Sequence, residues 1–134
     1  MQKKTAAKLL AILAIFARIW TTTGSAHAGT RAIDTCTHTP ADVRLMAATG
    51  CFKAYGDEVR ACDTRADGAG AWVGLYLDRT SSPDLLLTSV FAGGEGNCKT
   101  TSKNITEGSQ VYVKVCLRKD GRNGVCRNSR LGEA

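Results

Sequence analysis

The sequence predicts an all-β protein, a small antiparallel β-sandwich of about seven strands stapled by three disulfides and preceded by an extended N-terminal arm. Short alternating or β-branched runs, separated by glycine-containing turns, recur about every ten residues, as in sandwiches and barrels. Six cysteines, Cys36, Cys51, Cys62, Cys98, Cys116 and Cys126, are spread over one short chain. Two runs alternate cleanly. In QVYVKVCL, Val111, Val113, Val115 and Leu117 fall on one face; in AWVGLYLD, Ala71, Val73, Leu75 and Leu77 do the same.

The first residues have the layout of a secretory signal peptide. Lys3, Lys4 and Lys8 form a basic start, Leu9 to Phe16 an apolar stretch, and Ala26-His27-Ala28 a small-residue end. A membrane anchor is the alternative, but spanning a bilayer takes about 20 apolar residues and Arg18 breaks this run early. Cleavage is expected after Ala28, so that 106 of the 134 residues form the mature protein, secreted and without a membrane segment. One domain, 44–134, is the natural count for that length.

Next comes GTRAIDTCTHTPADV, residues 29–43, rich in threonine, carrying Pro40 and lacking either period. It is read as an extended arm tethered at Cys36, with Arg31 and Ile33 available for partner contact. A single helical turn over Ala41 to Ala48, with Pro40 at its start, is an alternative. Strands are then expected at Leu45–Ala54, Glu58–Asp63, Ala71–Asp78, Leu85–Phe91, Lys99–Ile105, Val111–Leu117 and Gly124–Arg130. Glu58 to Asp78 should form a hairpin turning at Asp67-Gly68, a pair that tolerates positive φ. AWVGLYLD has large side chains on both faces and should be central or present Trp72 and Tyr76 outward. LLLTSVF has no clean period, which suits a strand covered on both faces. Ala92-Gly-Gly-Glu-Gly-Asn97 reads as a mobile loop.

An even number of cysteines in a short exported domain reads as three disulfides. Zinc is the competing use, but there is no Cys-x-x-Cys pair and His38 is the sole histidine after residue 28. Fifteen pairings are possible and spacing does not choose among them. The sequential set, Cys36–Cys51, Cys62–Cys98 and Cys116–Cys126, is taken as the expectation.

Charge bears on partners. Removing Lys3, Lys4, Lys8 and Arg18 lowers Lys+Arg from 18 to 14 against 12 Asp+Glu, a net charge of +2. Nucleic acid is therefore not an expected partner, since phosphate binding needs a concentrated basic face. Arg118, Lys119, Arg122, Arg127 and Arg130 form the one local positive cluster, read as a solvated hairpin or an anion or partner site.

No constellation carries chemistry. Asp63-Thr-Arg-Ala-Asp67-Gly68 superficially resembles a calcium loop, but its third position is Arg65 and its twelfth Gly74, where oxygen ligands belong. A triad needs a positioned base, and His38 on an arm is poorly held. Asp57, Glu58 and Asp63 have no cue that sets a carboxylate pair at glycosidase spacing. Neither a cofactor nor a metal is expected, and the protein is read as a non-enzyme. Asn104-Ile105-Thr106 fits the glycosylation sequon. Aromatic and arginine side chains are common interface anchors, which makes Trp72, Tyr76, Arg118 and Arg122 the candidate contacts beside Arg31 and Ile33.

The stretch GDEVRACDTRADG, an aromatic strand after it, a glycine-rich connection and EGSQVYVKVCLRKDGRNGVC together resemble a large group of small secreted actinobacterial proteins. The likeness spans about Gly50 to Cys126. Some proteins of this kind look like the adaptor subunit of umbrella toxins, antibacterial particles in which a small β-protein joins a lectin-like subunit to a stalk. The resemblance implies a disulfide-stapled β-sandwich and a non-catalytic linker that uses its N-terminal arm and a sheet edge to bind secreted proteins. The alternative is an inhibitor of an extracellular hydrolase, with Arg118 or Arg122 entering a trypsin-like pocket. A third reading is carbohydrate binding through Trp72 and Tyr76.

Overall fold

The structure, a computed structural model, describes residues 32–39 and 47–134. The expected signal peptide and residues 29–31 and 40–43 of the arm, Arg31 among them, lie outside those residues, as does nearly all of the alternative helical turn. The described residues form nine strands: β1 (Thr35–Thr39), β2 (Ala48–Lys53), β3 (Glu58–Asp63), β4 (Gly70–Leu77), β5 (Leu85–Gly93), β6 (Cys98–Ser102), β7 (Gln110–Lys119), β8 (Arg122–Asn128) and β9 (Gly132–Glu133). Two antiparallel sheets result. One has the order β1-β2-β3-β6; the other has the order β5-β4-β7-β8, with the short β9 also paired to β7. The predicted all-β class is thus what the chain adopts.

The core lies between the sheets. Ala71, Val73 and Leu75 of β4 and Val111, Val113 and Val115 of β7 pack against Ala48, Phe52, Val59 and Ala61 of the opposite sheet. Both alternating runs therefore bury the predicted face, and β4 is central, paired to β5 on one side and β7 on the other. Gly50 sets how closely the sheets approach. A Cβ at that position would stand 2.4 Å from Val115 Cγ2 and 2.7 Å from Val73 Cγ2, so valines of one sheet fill the space a side chain on the other would need.

The three disulfides are the sequential set. Each joins residues directly opposed across neighbouring strands, Cys36↔Cys51, Cys62↔Cys98 and Cys116↔Cys126. No disulfide crosses from sheet to sheet; packing and the hydrogen bonds of Ile33 with Glu133 and of Thr35 with Arg130 join the two layers. A bridge acts chiefly by restricting the unfolded chain.

Several expectations are corrected. Residues 58–78 are not a hairpin, because β3 pairs with β2 and β6 while β4 pairs with β5 and β7. The six residues from Thr64 to Ala69 carry the chain from one sheet to the other, about 10 Å away in a sandwich. Asp-Gly does make a two-residue hairpin turn at Asp120-Gly121, with both φ angles positive, between β7 and β8. The expected arm is partly a strand: Thr35–Thr39 is β1, and Thr35, Thr37 and Thr39 are buried. Threonine is β-branched and fits a pleated surface, which the absence of large apolar residues conceals. LLLTSVF is not covered on both faces; β5 is an edge strand with Leu85, Leu86, Ser89 and Phe91 exposed, and a register shift opposite Leu75 and Tyr76 breaks its period. The 93–97 loop is pinned, with Asn97 N–H donating to Gly94 O, Asp63 N–H to Asn97 O and Gly96 N–H to Asp63 O.

Candidate functional site

Four regions of the described surface hold the residues singled out from the sequence. The outer face of the five-stranded sheet holds Trp72 and Tyr76. Trp72 is buried, but its ring lies over Gly74, where an added Cβ would meet Cη2 at 2.5 Å. Phe91 covers Gly70 in the same way and stays 44% exposed. Tyr76 stacks on Tyr112 with centroids 5.3 Å apart, and the Tyr112 hydroxyl donates to Asp84 Oδ2 at 2.9 Å. Partial burial, then the Asp84 carboxylate, pushes the Tyr112 pKa up to about 12.

The end of the sandwich carries a cleft of about 520 Å³, bounded by the 64–69 crossover, the 93–97 loop and the β7–β8 turn, with Arg118 on its rim. Asp63 forms part of the lining and is only 2% exposed. Its Oδ1 accepts the Arg65 N–H at 3.1 Å, and its Oδ2 makes no hydrogen bond. Asp67 Oδ1 accepts the Ala69 N–H, so both aspartates of the supposed calcium loop shape the turn. Arg122 stands on the third region, the hairpin itself, paired to Lys119 across the two-residue turn. The ladder reaches that turn, with a register shift that sets Gly124 and Val125 opposite Leu117.

The fourth region is a groove of about 460 Å³ along one long side of the sandwich, lined by residues 33–38 and 127–131. Here β1, the edge of one sheet, faces β8, the edge of the other. Ile33 lies here, hydrogen-bonded in both directions to Glu133 and 43% exposed beside Leu131 at 48%. Thr35 Oγ1 donates to Arg130 O at 2.9 Å and joins the two walls. His38 is not on a free arm; it is in β1, half-buried, and its Nε2 is buried without a hydrogen bond.

Register shows which main-chain groups are open. Cys36 and Cys51 have Cα atoms 4.1 Å apart, and Cys116 and Cys126 are 4.0 Å apart, the narrow spacing of antiparallel pairs that do not hydrogen-bond to each other. The N–H and C=O groups of Cys36 and, two residues on, His38 therefore point away from β2. Those of Cys126 and Asn128 likewise point away from β7, in agreement with Ser129 N–H bonding back to Val113 O.

The predicted site residues are thus not brought together: Ile33 lines the groove, Trp72 and Tyr76 an outer face, Arg118 an end cleft and Arg122 a hairpin. Sequence reasoning missed His38 and Leu131 as neighbours of Ile33, and assigned Arg127 and Arg130 to a hairpin cluster. Comparison with known proteins finds no match among family models, curated proteins or solved structures. Three disulfides fit an oxidising compartment, and among the described residues no helix is long and apolar enough to cross a membrane.

Proposed function

We propose that this chain is a secreted, non-catalytic protein-interaction module that serves as the adaptor subunit of an extracellular antibacterial complex. One observation carries the reading: among the described residues no strand pairs with the outer edges of β1 and β8, which lie on the same side of the sandwich and flank a groove with exposed Ile33 and Leu131. Unpaired edges invite another chain unless they are covered or blunted. An adaptor must also hold two partners at once, and the outer face of the five-stranded sheet offers a second, separate apolar surface at Leu86 and Phe91, 45% and 44% exposed. The resemblance to umbrella-toxin adaptors supplies the setting.

Affinity capture from the culture supernatant of the secreting cell tests this, using the full chain with its disulfides intact. The double variant Ile33→Asp/Leu131→Asp should lose one partner, and Leu86→Asp/Phe91→Asp another, while both remain folded by circular dichroism. Unchanged capture by all variants contradicts the reading. In a parallel assay trypsin should keep full activity, since Arg118 and Arg122 flank a tight turn; inhibition abolished by Arg122→Ala would favour the inhibitor instead.

A further inference from the structure

We infer that the outer edge of β1, which no strand among the described residues pairs, accepts an extended, acidic segment of a partner protein as an added strand of the four-stranded sheet. The inference rests on the interaction-module reading and gives it a binding mode and a partner chemistry. Strand addition requires outward N–H and C=O groups at every second residue of an accessible edge. β1 has them at Cys36 and His38, and the groove follows the strand along 33–38. The β8 edge is less suited, because the register shift between Cys116 and Arg118 sets two of its residues opposite one and interrupts the row.

The groove walls define what the added strand should carry. Arg127 and Arg130 stand on the wall opposite β1. Asp34 is the one acid of the lining, and its Oδ1 accepts the Ala54 N–H at 2.8 Å. Carboxylates on the incoming strand therefore meet two guanidinium groups, a pairing suited to bidentate hydrogen bonds. Ile33 and Leu131 provide an apolar seat at one end. An extended peptide that alternates acidic with β-branched residues fits all of these features.

The test is fluorescence anisotropy of the oxidised full chain with a synthetic peptide of about ten residues, glutamate alternating with threonine and valine, against a counterpart with lysine in place of glutamate. The acidic peptide should bind at least about tenfold more tightly, and added salt should weaken it. Arg127→Glu/Arg130→Glu should remove that preference, while Arg122→Glu, outside the groove, should leave it intact. His38→Pro deletes an outward N–H without deleting a β1–β2 hydrogen bond and should weaken the peptide by about tenfold, with the thermal midpoint checked separately. Equal binding of the two peptides, no binding of the acidic one, or indifference to His38→Pro in a folded variant overturns the inference. So does sedimentation showing that a second copy of the chain occupies the edge. A secreted partner captured equally well by His38→Pro overturns strand addition while leaving the adaptor reading in place; a bound peptide with no partner captured strikes only the adaptor reading.

Discussion

The two sheets of this sandwich are built from different materials. The five-stranded sheet turns valine and leucine inward from β4 and β7 and lays aromatic rings over glycines on its outer face. The four-stranded sheet turns inward three threonines, two alanines, Gly50 and Asp63, with Phe52 and Val59 as its large apolar residues. It also carries two of the three disulfides. Where side chains supply little burial, cross-links restrict the unfolded chain instead, a common arrangement in small domains. Both sheets bring an edge to the groove, β1 from the thinner sheet and β8 from the other, but only the β8 row is interrupted by a register shift. A sheet held by cross-strand bridges can leave an edge unpaired for a partner without relying on that edge for its own integrity.

Core truncation should separate the sheets most strongly. Leu75→Ala, at a fully buried position of β4, should cost about 3 to 5 kcal/mol in chemical denaturation, whereas Thr37→Ala in β1 should cost about 1 kcal/mol. Equal costs would break the comparison.

The bridges sharpen it further. Cys62–Cys98 spans 36 residues and Cys116–Cys126 spans 10. In the loop-entropy picture, replacing the first pair by alanines should cost about 4 kcal/mol and the second about 3 kcal/mol. A larger loss at Cys116–Cys126 would show that the aromatic sheet, and not the threonine sheet, depends more on its bridge.

The smallest effect concerns pH. Tyr112 has a folded pKa raised from 10.0 to about 12, so its contribution is fully present below pH 10 and is lost as pH rises toward 12. Ultraviolet titration should show one late-ionising tyrosine, and Tyr112→Phe should remove both that step and the corresponding alkaline loss of stability.

What could be read from the sequence follows from the physics of each element. The alternation of β7 is visible because half-burial forces a period of two, and β4 reads as central because both of its faces carry large groups. β1 is concealed because its inward residues are threonines, which resemble loop composition. The Asp-Gly signal finds a positive-φ glycine at both occurrences, with the aspartate also at positive φ only at Asp120, yet a turn dipeptide does not specify which sheet the next strand joins. At Asp120-Gly121 the strands follow immediately and pair; at Asp67-Gly68 a six-residue connection reaches the other layer. The groove could not be read at all. Its walls come from opposite ends of the domain, and the Thr35–Arg130 hydrogen bond that joins them links residues 95 apart in sequence.

The central claim is that partners complete the four-stranded sheet at β1. Amide hydrogen exchange on the full, oxidised chain, with and without saturating acidic peptide, tests it most directly, because an outward N–H exchanges freely until another strand bonds to it. Slowed exchange is expected at Cys36 and His38, with Phe91 on the other sheet's edge strand unchanged. Protection at Phe91, with Cys36 and His38 still exchanging freely, would contradict it.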